Sequence, residues 1–301
     1  YYLRSQIEKK NKYFCYLYEK KNISNKYLFD KFRNNLNIIP SALGNFIDRI
    51  LRNSSLSDNK KNEIILFDFL NKKSGWEYYN GDILDVKINS EDQIYFENFL
   101  KSKNIKHPYV CINLWSFKHL EDNYPNQDLS HHKLRLSNEE NFFDLINYIT
   151  QKNIYVIIMG HDVSRFKNLD NNKVINYSDF REDILDYFLI KNCYCYISDC
   201  TGLDYLAFAL KKPMLLNSPF LNFFYNKHNK IVYILKNQFS LVENKIINLH
   251  EMLYKFDTMF KVKNNFYEKN KIILKDNNPS DILEAYKNLD SLIKNDVCEK
   301  N

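Results

Sequence analysis

Ile154–Met159 (IYVIIM) constrains the fold of this chain more than any other stretch. The run is rich in β-branched residues and shows no polar alternation. A strand with one wet face alternates apolar and polar residues, so a strand without alternation is covered on both faces, as in the interior of a parallel sheet. Gly160 ends it. Upstream, Ser137 and Glu140 have the S-x-x-E spacing of a capping box ahead of FFDLINYITQ, which predicts a helix ending near Lys152–Asn153. Tyr109–Leu114 (YVCINL) precedes that helix as another strand. Downstream come a short strand at Val174–Tyr177, a helix at Arg181–Lys191, a strand at Tyr194–Ser198, a helix at Leu203–Leu210 and a strand at Pro213–Leu216. Strands alternating with helices over short connections predict a parallel sheet with right-handed crossovers, a Rossmann-like α/β unit over Pro108–Asn217.

The flanks are less regular. Residues 1–60 read as polar and helical, in YYLRSQIEKK, KYLFDKFRNNL and NFIDRILRN, with a short strand at Tyr13–Tyr18. Ile64–Leu70 fits a strand or a short buried helix equally, because so short an apolar run has no decisive period. Ser74–Asp82 reads as loop. Residues 90–104 carry Ile94, Phe96, Phe99 and Leu100 near helical spacing, with Ser90 as the expected N-cap. Beyond the sheet region, Ile231–Leu235 reads as a strand. Ser240–Met252 and Ser280–Lys294 read as helices, the second capped by Ser280.

Composition narrows the class. In 301 residues, 45% hydrophobic and 16% aromatic content supplies ample core. The formal charge of +6 comes from lysines spread over the whole chain, so nucleic acid is not an expected partner. A solvated surface accounts for the charge, and attraction to a phosphorylated metabolite or a membrane surface is the functional alternative. The six cysteines form no C-x-x-C pair and no zinc spacing with histidine, which reads as free thiols in a reducing compartment. No apolar run reaches the roughly 18–20 residues that span a bilayer. With no signal peptide visible, the expected location is cytoplasmic, at the inner face of the membrane if the chain makes peripheral contact with it.

Four clusters offer chemistry. Ser198-Asp199-Cys200-Thr201-Gly202-Leu203-Asp204 lies where a strand leaves the sheet and a helix begins. Ligands of open α/β sheets bind beyond the carboxyl ends of the strands, and helix N-termini favour phosphate. Ser198 and Thr201 offer hydroxyls, Gly202 close backbone approach, and Asp204 a helix cap or an acceptor for a sugar hydroxyl. The plain alternative is an ordinary capped turn. Gly160-His161 ends the preceding strand and suits a nucleotide-facing loop, or simply a turn. Asp128–Ser137 (DLSHHKLRLS) brings His131, His132 and Lys133 close to Arg135, with Arg135 able to grip a phosphate through two N–H groups and a histidine able to accept a proton near neutral pH. A solvated basic loop reads the same way. Arg181-Glu182-Asp183 opens a helix, where acids are ordinary dipole partners and the arginine is the unexpected member.

In order along the chain, these segments resemble a family of glycosyltransferases found in bacterial surface-glycan gene clusters. His132, Arg135 and Ser137 fall on the family's His, Arg and Ser loop positions. NIYVIIMG matches its strand at Met159 and Gly160. VINYSDFREDILDYFL matches at Tyr177, Arg181, Asp183 and Asp186, and CYISDCTGLDYLAFALKKPMLLN at Ser198, Gly202, Leu203, Asp204 and Pro213. KKNISNKYLFDKFRNNL resembles the family's N-terminal region. The likeness is dense from 108 to 220. After the first strand of this half the family carries His-Val-Arg-Asp, whereas this chain has Asn113, Leu114, Trp115 and Ser116. The family also has a short Gly-His-containing segment ahead of the position of Tyr1, so truncation there is expected.

The resemblance implies a GT-B-like α/β architecture of two Rossmann-like halves facing a cleft. It places an acceptor-side half, partial here, over 1–105, and a nucleotide-sugar half over 106–278. A last helix within 279–301 would pack back toward the first half. The implied activity is metal-independent transfer of a sugar from a nucleotide-sugar donor to a glycan or lipid-linked acceptor, with no cofactor. His132, then Asp128, are the expected bases. Arg135, Gly160, His161, Arg181, Asp183, Ser198, Thr201, Gly202, Leu203 and Asp204 are the expected donor contacts. Two rivals stand beside it. One is a non-catalytic glycan- or nucleotide-binding module in which Trp115 stacks on a ring. The other is a different α/β transferase moving pyruvyl or phosphoryl groups.

Overall fold

The computed structural model describes residues 14–16, 25–33, 37–39, 42–43, 86–116, 118, 121, 134–160, 166, 169, 171–218, 230–254 and 264–299. The chain divides into two compact units, Tyr1–Asn89 and Ser90–Asn301. In the first, β1 (Phe14–Tyr16) and β2 (Asn37–Ile39) pair in parallel, with α1 (Lys26–Arg33) between them in sequence. This is a small βαβ element. Asn25 Oδ1 accepts the backbone N–H of Leu28 at 2.9 Å and so caps α1. The expected helix at NFIDRILRN, Ile64–Leu70 and the loop Ser74–Asp82 lie outside the described residues.

The second unit opens with α2 (Ser90–Ser102), which buries Phe96 and Leu100 as its spacing predicts. Six parallel strands follow: β3 (Tyr109–Asn113), β4 (Tyr155–Met159), β5 (Val174–Asn176), β6 (Tyr196–Ser198), β7 (Met214–Ser218) and β8 (Ile231–Leu235). Their order in the sheet is β5-β4-β3-β6-β7-β8, with every neighbouring pair parallel. The first strand of the unit thus lies at the centre and the chain winds outward in both directions, as in a doubly wound Rossmann sheet. The direction of winding reverses between β3 and β6, where Asn113 stands opposite Ser198.

Alternation along the strands assigns the two faces. Val110 and Ile112 on β3, and Leu114 just after it, join a core with Leu145, Ile146 and Ile149 of α3 (Phe143–Gln151) and with Ile282, Tyr286 and Leu289 of α8 (Pro279–Glu299). Tyr109 and Cys111 point to the other face and reach the carbonyl of Leu189 on α4 (Asp183–Asn192). The ring of Phe96 on α2 stacks on Phe188 of α4 with centroids 5.0 Å apart. Both faces of β4 are therefore covered, which is why its sequence lacks alternation. The last helix packs on α3, β7 and β8 of this same unit, and Tyr194 donates to Asp290 across that contact at 2.6 Å. Removing a buried leucine such as Leu145 from this core would cost about 2–5 kcal/mol.

Three expectations are corrected. Ser240–Met252 is not one helix: β9 (Asn237–Ser240) pairs antiparallel with β10 (Lys245–Ile246) and β11 (Ile272–Lys275), and only α6 (Leu249–Tyr254) is helical. The partner strand β11 arrives about 30 residues later, a pairing that no local window contains. The helix caps are asparagines. Asn138, not Ser137, accepts from Glu140 N, and Asn278, not Ser280, accepts from Asp281 N at 2.9 Å. Pro279 then takes the first helical position, where its missing N–H costs nothing. Cys193 and Cys195 immediately precede β6. With Cys111 and Cys200 they are free and buried.

Gly160 closes β4 at φ +112°, and a Cβ there would lie 3.2 Å from Asn113 Oδ1. Both the backbone angle and the neighbour demand glycine. Gly160→Ala is expected to lower stability by about 1–3 kcal/mol in urea titration. An unchanged midpoint would remove this constraint.

Candidate functional site

The carboxyl ends of the inner strands carry a layer of polar side chains: Asn113 on β3, Ser198 on β6, and Asn217 and Ser218 on β7, all buried. Below them the same strands are apolar. The layer gathers around Asp204, the first residue of α5 (Asp204–Ala209), whose side chain is fully buried and turned inward. Its Oδ1 accepts hydroxyl hydrogen bonds from Ser198 at 2.6 Å, Thr201 at 2.9 Å and Tyr196 at 3.2 Å. Asn113 Nδ2 donates to both Thr201 Oγ1, at 2.7 Å, and the Tyr196 hydroxyl, at 2.9 Å. The two strands at the point of reversal are therefore joined through side chains as well as through the ladder.

Asp199 makes the second link. Its Oδ1 accepts the backbone N–H of Trp115 at 2.5 Å, tying the chain leaving β3 to the turn leaving β6. Its Oδ2 is buried without a hydrogen-bond partner, as is Oδ2 of Asp204. Burial raises the Asp199 carboxyl to about 7 against the Trp115 N–H and the Lys236 charge, and raises Asp204 to about 6 against its hydroxyl donors. Cys200 adopts the left-handed backbone of the turn at φ +72°, and burial pushes its thiol up. Arg135 lies over this turn, with Nη1 3.5 Å from the Cys200 carbonyl.

Behind the turn, Asn217 Nδ2 donates to Ser137 Oγ at 3.1 Å and its Oδ1 accepts from Asn277 Nδ2 at 2.7 Å. Lys236, 3% exposed, pairs with Asp276 Oδ1 at 2.7 Å and donates to the Leu136 carbonyl. This network fixes residues 134–138, and hence Arg135, against the sheet. Of the residues expected from sequence, Arg135, Gly160, Ser198, Thr201, Gly202, Leu203 and Asp204 all sit on the segments at the ends of β3, β4 and β6. Gly202 faces open space with an ordinary φ, so the conformational freedom of that turn is used at Cys200 instead. Asp204 gives no side-chain cap to its helix. Its carboxylate is spent on the turn.

Arg181 and Asp183 follow β5, at the edge of the sheet. Arg181 Nη2 donates to the buried Asp186 at 2.8 Å, and Asp183 opens α4. Burial lifts Asp186 to about 6 and the arginine opposes that rise. Tyr177 clasps the segment, donating to Glu182 O and accepting from Glu182 N. His132, Asp128 and His161 lie outside the described residues. Among the described residues no group of three or more His, Cys, Asp or Glu could hold a metal ion. Asn113, Tyr196, Asn217 and Lys236 were not expected site residues. Polar residues ending apolar inner strands, in YVCIN and MLLNS, are the signal that could have found the two asparagines.

Asp199 and Asp204 predict a sign for pH dependence. Both have folded-state values above those of the unfolded chain, so their contribution to stability is fullest below about pH 4 and falls as pH rises through 6–7. Asp204→Asn keeps an acceptor for the three hydroxyls and removes the charge. Its stability loss between acidic and mildly alkaline buffer is expected to be smaller than that of the parent chain by roughly 2–3 kcal/mol. Equal slopes in denaturant titrations at several pH values would contradict the burial argument.

No family model matches the chain, and no curated protein matches it. Solved structures similar to it include a glycosyl transferase family 9 protein from Veillonella parvula, at TM-score 0.46 and 12% identity over 77% of this chain and 57% of that one. E. coli ADP-heptose LPS heptosyltransferase II gives TM-score 0.39 and 12% identity over 68% of this chain and 53% of that one. Methanocaldococcus jannaschii UDP-GlcNAc 2-epimerase gives 0.31 and 15% over 67% and 49%. The chain thus spans about half the length of these proteins. The α/β assignment rests on the sheet itself: six parallel strands, doubly wound, with helices on both faces.

Proposed function

We propose that the chain is a metal-independent glycosyltransferase. It would bind a nucleotide sugar at the reversal between β3 and β6 and pass the sugar to a glycan or lipid-linked acceptor in bacterial surface polysaccharide synthesis. The observation that carries this reading is Arg135 held over the Ser198–Asp204 turn at the point where the sheet winding reverses. Open α/β sheets bind their ligands in the crevice at such a point. A departing nucleotide phosphate needs a fixed positive partner. Arg135 supplies one, and its backbone is anchored by the Ser137–Asn217–Asn277 and Lys236–Asp276 contacts. His132, which falls on the family's His position, is the first choice of base, with Asp128 as the second. His161 and Arg181 are donor contacts, Asp183 stands close to Arg181 in sequence, and residues 1–105 would be the acceptor-side half. No cofactor enters the reaction, and the expected location is the cytoplasm, at the inner face of the membrane.

One observation favours the non-catalytic binding module as a second reading. The guanidinium of Arg181 is engaged by buried Asp186, and Trp115 occupies the place of the family's arginine, so among the described residues Arg135 stands without a second arginine at the turn. Turnover of a nucleotide sugar separates the two readings.

A thermal-shift panel of UDP-, GDP-, CMP- and dTDP-sugars tests the donor site, because a ligand that binds only the folded chain raises its melting temperature. One class is expected to do so. Arg135→Ala is expected to weaken that class by about 10-fold or more in calorimetry, as loss of a charge-assisted phosphate contact does. Equal affinity in the variant would sink the assignment.

A further inference from the structure

The small sheet of β10, β9 and β11 has two unlike faces, set by its register. Ile272 and Ser240 are paired, and with Gln238 they are buried beside Ile247, Met252 and Tyr267. The alternate residues point the other way. Ile246 and Ile273 both stand opposite Phe239, forming a three-residue apolar row across all three strands. Ile246 is 58% exposed and Ile273 44%. At the end of β9, Leu241 at 53% and Val242 at 70% extend the exposed apolar surface into the turn. Lys275 lies two residues from Ile273 on β11, hence on the same face as the row, and Lys271, also exposed, sits in the turn just before that strand. Lys275 Nζ sits 4.2 Å from the Phe239 ring centroid.

Three acids close to the small sheet are engaged among the described residues. Glu243 and Glu251 hold Lys245, and Asp276 holds Lys236. Lys271 and Lys275 are both exposed.

We infer that this outer face, the Ile246–Phe239–Ile273 row with the Leu241–Val242 turn, docks the chain on an anionic lipid surface. Apolar side chains rimmed by lysine are the pattern of interfacial membrane binding, in which the apolar groups enter the headgroup boundary and the cations meet the lipid charge. The formal charge of +6 acts in the same direction. A turn tip carrying two adjacent apolar residues suits insertion between headgroups. The surface is distinct from the donor site and does not depend on the transfer reaction.

The test is flotation of the full chain with vesicles of phosphatidylcholine, with and without a quarter phosphatidylglycerol. Binding is expected on the anionic vesicles and should fall with added salt. Lys271→Glu with Lys275→Glu should weaken it by about 10-fold or more. Ile246→Ser with Ile273→Ser should weaken it as well, with melting temperatures kept near that of the parent because all four side chains are exposed. Three results would overturn the proposal: no binding by the parent chain, binding unchanged in both double variants, or a dimer that the isoleucine variant converts to monomer, which would make a second copy the occupant.

Discussion

Asp204 is closed off from bulk solvent. Its carboxylate is fully buried where the sheet winding reverses, and an uncompensated charge there would be costly. Hydroxyls from Tyr196, Ser198 and Thr201 converge on one of its oxygens, and Asn113 holds two of those hydroxyls from the neighbouring strand. The conformation of the Ser198–Asp204 turn, the spacing of β3 and β6 at their carboxyl ends, and the position of the Cys200 carbonyl beneath Arg135 all depend on that convergence. A half-satisfied network would be worse than an apolar one, so the second oxygens of Asp199 and Asp204 mark where this arrangement is least settled.

The same logic extends along the edge of the sheet. Strands that are apolar through their middle end in Asn113, Ser198, Asn217 and Ser218. These groups must be paired because they are buried, and they pair with distant parts of the chain: Asn113 with Tyr196 and Thr201, and Asn217 with Ser137 before α3 and Asn277 before α8. The polar layer therefore positions the loops at the carboxyl edge. Loops there form the binding crevice of doubly wound sheets, and a rigid polar layer beneath them supplies preorganisation.

Much of this was legible in the sequence. The unbroken apolar run at Ile154–Met159 and the strand–helix alternation around it predict the parallel sheet, and the structure has it. The elements end within a few residues of their expected bounds. Ser240–Met252 was misread because β9 owes its conformation to β11, which is distant in sequence. The caps shifted by one or two residues because asparagine, common throughout this chain, caps as well as serine.

Sequence alone determined that residues 108–217 form a parallel α/β sheet, because hydrophobic periodicity is local and reports directly which faces are covered. It also marked the Ser198–Asp204 turn as the place to look. Only the tertiary structure decided what that turn is made of. Asp204 faces inward instead of capping its helix, the left-handed residue is Cys200 instead of Gly202, and Arg181 is engaged by Asp186 while Arg135 stands over the turn. Those outcomes follow from burial and from hydrogen bonds between residues up to about 90 positions apart, such as Asn113 and Thr201, and burial of that kind has no local signature.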